Sequence, residues 1–150
     1  MLVTINTDAG FYPTQKYGSY AFWAVSNEFK ICKSGVFKTK CINPDDAETR
    51  CIINALSVVL LPHKNITKVI INTDSLNAIA ILRNDKVHIR RYVGRNLKRW
   101  HFLRAEFDKF KHLKITFKHV KAHSNNTDSR SWVNDWCDKE CKKQLKKIKL

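Results

Sequence analysis

The spacing of hydrophobic and polar positions changes several times along the chain, and each change marks an element. Residues 2–8 alternate as a half-buried strand does, with Val3 and Ile5 on one face and Asp8 at the end. Tyr20 to Val25 is rich in strand-favouring aromatics, and Ile31 to Phe37 follows a turn near Asn27 and Glu28. The short connections between these three strands predict an antiparallel meander. A helix should come next, with Asn43 as its N-cap, Pro44 at its first position and Asp45 and Asp46 complementing its positive end. Ala47, Cys51, Ala55 and Val58 or Val59 carry its periodicity until Pro62 stops it. Lys68 to Thr73 reads as a buried strand, and Asp74 or Ser75 then caps a helix bearing Leu76, Ile79, Ala80 and Leu82.

Val93, Leu97, Trp100, Leu103, Phe107 and Phe110 recur every three or four residues, so this stretch predicts an amphipathic helix whose other face is basic. Lys114 to Val120 is the last strand. A polar loop then leads into a final helix with Val133, Cys137, Cys141, Leu145 and Ile148 as its inward stripe and Asp138 in its first or second turn. The order β-β-β-α-β-α-α-β-α predicts an α/β fold. Its core would be a mixed five-stranded sheet, three antiparallel strands plus two parallel, flanked by helices.

The length of 150 residues and the hydrophobic content of 43% suit one domain spanning 1–150 with a substantial core. No apolar run approaches the ~20 residues a membrane helix needs, and the N-terminus lacks a signal-peptide pattern. The expectation is a cytoplasmic monomer with no membrane partner. Five cysteines, odd in number and irregularly spaced, argue against a disulfide framework and for reduced, packing thiols. Charge changes the picture more. A net charge of +15 implies either a polyanionic partner or a chain kept soluble by its charge. The excess is concentrated: seven Lys or Arg and no acid from Lys86 to Arg104, with Tyr92, Trp100 and Phe102 interleaved, then six Lys against one Glu from Lys139 to Lys149. That distribution points to nucleic acid.

In so basic a chain, carboxylates at the ends of apolar strands need an explanation, because a buried anion is costly without a cation or donors. Asp8 and Asp74 would meet if the first and fourth strands are parallel neighbours, at the edge where ligand sites collect. Glu48 lies about one turn into its helix, and Asp138 adjoins the inward stripe of the last one. Taken singly, Asp74 reads equally as ligand or helix cap, Glu48 as a surface acid, and Asp138 could pair with Lys142 four residues on. Together they would repel one another unless metal neutralised them. Hard oxygen ligands favour Mg²⁺ or Mn²⁺ over zinc. Two such ions, roughly 4 Å apart, can activate a water and stabilise the leaving oxygen of a phosphodiester. The chemistry that follows is nucleic-acid hydrolysis.

Five motifs occur in order on these elements: Thr7-Asp8, Ala47-Glu48, Thr73-Asp74-Ser75, Val120-Lys121-Ala122-His123, and Asn134-Asp135-x-x-Asp138. With them the chain resembles the ribonuclease H family, type 1, over essentially its whole length. The resemblance implies a metal-dependent endonuclease that cuts the RNA strand of an RNA–DNA hybrid and leaves 5′-phosphate ends. Asp8, Glu48, Asp74 and Asp138 would hold two Mg²⁺ ions, or Mn²⁺, and His123 on a loop would assist proton transfer or product release.

The segment from Arg90 to Trp100 would correspond to the substrate-gripping protrusion of some family members. There Arg91, Arg95, Lys98 and Arg99 are the candidate phosphate contacts, while Val93, Leu97 and Trp100 turn to the core. The 2′-hydroxyls distinguish a hybrid from DNA, and Asn43, Asn72, Asn77 and above all Asn134 are candidates to read them. The chain departs from the family pattern at Ala9 to Pro13, where a glycine-rich stretch is missing, at Pro44 to Asp46, at Leu76, and in its long interval from His123 to Asp138. These departures leave the metal ligands intact and point to an altered substrate preference. Two alternatives stand beside this reading: a hybrid- or duplex-binding module without turnover, and an integrase- or resolvase-type DNA nuclease.

Overall fold

The structure, a computed structural model, describes residues 1–85, 97–120 and 129–148, the side chains of 129–131 excepted. Five strands form one sheet: β1 (Leu2–Tyr12), β2 (Tyr17–Val25), β3 (Lys30–Val36), β4 (Lys68–Thr73) and β5 (Lys114–His119). Their spatial order is β3-β2-β1-β4-β5. β1 pairs antiparallel with β2 and parallel with β4, β2 pairs antiparallel with β3, and β4 pairs parallel with β5. This is the mixed sheet the sequence predicts. The described helices are α1 (Pro44–Leu60), α2 (Leu76–Arg83), α3 (Leu97–Asp108) and α4 (Ser129–Ile148).

Local chemistry sets the helix starts. Asn43 takes extended backbone angles, and its Oδ1 accepts from the Asp46 N–H at 2.8 Å, with Pro44 leading the helix. Ser75, rather than Asp74, caps α2 by accepting from the Ala78 N–H at 3.1 Å. Asp74 lies one residue before this cap, at the sheet edge. Asn84 closes α2 in the left-handed conformation, at φ 56°.

Two faces of the sheet are covered. On one, Val3, Ile5, Phe22, Val69 and Ile71 meet Ile52, Ala55, Leu56 and Val59 of α1 and Ala78, Ile79 and Leu82 of α2. α3 is fixed through Trp100 and Leu103, which pack with Ile81 and Ile53. On the other, Ala21 packs with Cys137 and Cys141 of α4, and Trp23 makes edge contacts with Trp132 and Trp136. β1 approaches α4 closely at Gly10, where an added Cβ would lie 2.5 Å from Leu145 Cδ1 and 2.6 Å from Ser19 Oγ. The cysteines are all free thiols and four of the five are buried, as packing residues would be.

Two expectations are corrected. β1 does not end at Asp8; it continues to Tyr12, because β2 pairs with it as far as Tyr12↔Tyr17. The parallel ladder with β4 stops at Asn6↔Asn72, so Asp8 still lies beyond the end of its β4 neighbour. α4 starts at Ser129, which puts Asp138 in its third turn rather than its first or second. Gly10→Ala should lower stability by roughly 1–3 kcal/mol through overpacking of the β1–α4 contact. Urea denaturation reads this, and an unchanged midpoint would show that the approach has slack.

Candidate active site

The register of the parallel ladder builds the site. Asn6 is level with Asn72, so two residues further on Asp8 comes level with Asp74, just past the end of β4. α1 brings Glu48 over this edge. Single oxygens of Asp8, Glu48 and Asp74 lie within 4.8 Å of one another. From the other face, α4 brings Asp138 and Cys141, whose ligand atoms cluster with Asp8 under the same limit. Asp8 is common to both groups and so links all four of the predicted acids.

A backbone group donates to both Asp8 and Glu48. The Ala9 N–H is shared by Asp8 Oδ1 at 2.9 Å and Glu48 Oε1 at 3.3 Å. Glu48 Oε2 is buried without a hydrogen-bond partner among the described residues. Asp138 Oδ2 accepts from Lys142 Nζ at 2.9 Å, so the predicted i,i+4 pair forms without taking Asp138 away from the cluster. Burial first, and then the charges of Asp74 and Asp138, raise the Asp8 carboxyl from 3.8 to about 7. Burial, followed by the charges of Asp8 and Asp74, holds Glu48 well above the ordinary carboxylate range. Buried carboxylates with an orphaned oxygen and only hard donors fit a divalent Mg²⁺ or Mn²⁺ better than any side-chain cation. Burial raises the neighbouring thiols Cys51, Cys137 and Cys141 above their usual range, so without a metal they are neutral.

Comparison with known proteins agrees with this geometry. The RNase H family model matches residues 2–146. The chain belongs to the RNase H family. No curated protein sequence is significantly similar to it. Solved structures share the fold at low identity. RNase H1 from the halophilic archaeon Halobacterium salinarum has a TM-score of 0.61 at 16% identity, over 98% of this chain and 99% of that one. The N-terminal RNase H domain of a Mycobacterium tuberculosis protein gives 0.68 at 12%, over 98% of both. LC11-RNase H1, in complex with an RNA/DNA hybrid, gives 0.62 at 16%, over 95% and 99%.

Within this RNase H domain the remaining candidates fare differently. Asn134 sits on α4 close to the site, its Oδ1 accepting from Asn6 Nδ2, while Asn6 Oδ1 accepts from Asn72 Nδ2 at 3.1 Å. This amide chain ties β4, β1 and α4 together. It also corrects the expectation for Asn72, which is buried and cannot meet a hydroxyl. Asn77 donates to Asp45 Oδ1 at 3.0 Å, and the Asn43 carbonyl oxygen serves the α1 cap. Lys98 is exposed on α3. Arg99 is instead ion-paired, its Nε 2.9 Å from Oδ1 of the fully buried Asp46. Arg91, Arg95 and His123 lie outside the described residues.

Sequence reasoning missed three features. They are the Asn6 amide chain, the Asp46–Arg99 pair, and His119, whose Nε2 lies 3.2 Å from the Asp74 carbonyl oxygen at the end of β5. The β4–β5 register, Thr73↔His119, is the signal that would have located the last.

The raised Asp8 value fixes a pH dependence. An acid whose folded value exceeds its unfolded one adds stability that is fully present below 3.8 and lost as pH rises through about 7. Metal needs the deprotonated form, so Mg²⁺ affinity should climb with pH across that window and level off above about 7. Calorimetric titrations at several pH values check this, and a flat affinity would contradict the shift. Asp8→Asn should stabilise the metal-free protein above neutral pH by about 1 kcal/mol or more, by removing repulsion. The same variant should lose the rise in melting temperature that Mg²⁺ gives the native protein. Destabilisation of the metal-free variant would show that Asp8 is already neutralised from within.

Proposed function

We propose that the chain is a metal-dependent endoribonuclease that cuts the RNA strand of RNA–DNA hybrids and leaves 5′-phosphate ends, acting as a single-domain cytoplasmic monomer. The observation that carries this reading is the convergence of Asp8, Glu48 and Asp74 within 4.8 Å at the end of a parallel strand pair, in a chain of net charge +15. Membership of the RNase H family supports it, as does the hybrid held by LC11-RNase H1.

Asp8, Glu48, Asp74 and Asp138 would hold two Mg²⁺ ions. Bound there, the ions supply a water of lowered pKa and neutralise the charge on the leaving oxygen. The protein's own groups do the rest. Glu48 keeps an uncommitted buried oxygen at the centre, and Lys142 orients Asp138 through its 2.9 Å contact. The amide chain through Asn6 fixes α4 against β1, and so fixes Asp138 relative to Asp8. The exposed Lys98 meets a phosphate, Arg91 and Arg95 extend that grip, and Asn134 and Asn43 face the minor groove where the 2′-hydroxyls lie. His123 assists proton transfer as the product leaves.

The test is incubation with a labelled RNA–DNA hybrid and with matched RNA and DNA duplexes, in Mg²⁺ or EDTA, beside Asp74→Asn. Mg²⁺-dependent cutting of only the hybrid's RNA strand, lost in the variant while hybrid binding persists, is the expected result. Binding without cutting would turn the reading to a non-catalytic module, and cutting of DNA duplexes to an integrase-type nuclease. Lys98→Ala should weaken binding at all sequences and reduce the slope of log affinity against log salt by about 1. An unchanged slope would remove Lys98 from the grip.

A further inference from the structure

A cavity of about 610 Å³ opens between α1, α3 and the segment after β3, and the cleavage chemistry makes no use of it. The volume falls within the roughly 300–1,000 Å³ usual for ligand sites. Arg50 and Asn54 lie four residues apart on the face of α1 that forms its floor. Phe37 and Lys38 make one wall, and Arg99 and Phe102 of α3 make the other. Three cations thus line it against one acid, Glu106.

Each ring carries a guanidinium. Arg50 lies 4.4 Å from the Phe37 centroid and Arg99 5.5 Å from that of Phe102. Hydrogen bonds to the Thr39 and Lys40 carbonyls, at 3.2 and 3.1 Å, preset Arg50, and the bond to Asp46 presets Arg99. Phe102 nevertheless leaves 53% of its surface exposed, although it stands beside an apolar core. Aromatic faces paired with fixed cations suit an unpaired base and its phosphate, because a base offers its π face only when unstacked.

The position of the cleft identifies the occupant. Asp46, which holds Arg99, and the metal-site Glu48 both lie in the first turns of α1, so the cleft begins at the same end of that helix as the catalytic edge, on another side of it. From there it follows α1 for roughly 10 Å, the rise of the two turns from Arg50 to Ser57. Building on the ribonuclease H reading, we infer that this cleft takes a single-stranded extension of the hybrid, with a base on Phe102 and its phosphates toward Lys38 and Arg50. The enzyme would then favour hybrids that carry an unpaired flank over blunt ones.

Fluorescence anisotropy in EDTA tests this without cleavage. The probes are a blunt RNA–DNA hybrid, the same hybrid with a DNA or RNA extension at either end, and the single strand alone. The native protein is compared with Phe102→Ala, Asn54→Glu and, as a charge control distant in the chain, Lys64→Glu, each checked for an unchanged urea midpoint. An extension at one end, in either chemistry, should tighten binding about fivefold or more. Phe102→Ala and Asn54→Glu should each remove that increment and leave blunt-hybrid affinity in place, while Lys64→Glu should leave the increment intact. Equal affinity for blunt and extended hybrids overturns the inference. So does an increment that survives both cleft variants, or one that Lys64→Glu removes equally well. Failure to cut any hybrid would defeat the nuclease reading alone, since the increment requires no catalysis.

Discussion

The parallel pairing of β1 with β4 is the constraint on which the site depends. Its register runs unbroken from Leu2↔Lys68 to Asn6↔Asn72 and then stops, so Asp8 and Asp74 reach the same level where β4 has ended. The apolar ladder below, Val3 and Ile5 beside Val69 and Ile71, is fully packed under α1. That packing holds two like charges together against their repulsion. Placing α1 on the same core then fixes Glu48 above them, and α4 on the opposite face adds Asp138. A one-residue slip in the register would turn one of the two acids to the other face of the sheet and dissolve the centre.

Much of this was legible in the sequence because it is local. β4 was read at its observed bounds, Lys68 to Thr73, from a continuous apolar run between polar flanks. Asn43, Pro44 and Pro62 bracketed α1, and the capping bond confirms the first of them. The candidate acids stand out because a carboxylate at the end of an apolar strand is conspicuous in a chain with 28 Lys and Arg. What escaped reading is non-local. The continuation of β1 past Asp8 is decided by β2, through pairs such as Gly10↔Ser19. The early start of α4 runs through Ser129, Arg130 and Ser131, whose composition reads as loop. The Asp46–Arg99 pair joins residues 53 apart, and no periodicity announces it.

The distribution of charge follows one logic. Among the described residues, Arg99 is paired with the buried Asp46, and the largely exposed Lys142 with Asp138. The first replaces one of the expected phosphate contacts with a tether that locks α3 to the start of α1. A buried carboxylate left without its cation is strongly destabilising, so this tether makes the position of α3 part of the site's own architecture. Among the described residues, Lys38, Lys64 and Lys98 are exposed to solvent. The carboxylate cluster around Asp8 is recessed among the described residues, and its hard oxygens suit a divalent ion rather than a phosphate.

The most direct test is an electron paramagnetic resonance titration of Mn²⁺ into the protein, with Glu48→Gln beside it. Two saturable sites per chain in the presence of a non-cleavable hybrid, weakened tenfold or more by Glu48→Gln, are what the carboxylate cluster predicts, about the loss expected when a metal site is disturbed. Mn²⁺ binding that Glu48→Gln leaves unchanged would contradict it, because the buried, unpartnered oxygen of Glu48 would then hold no metal.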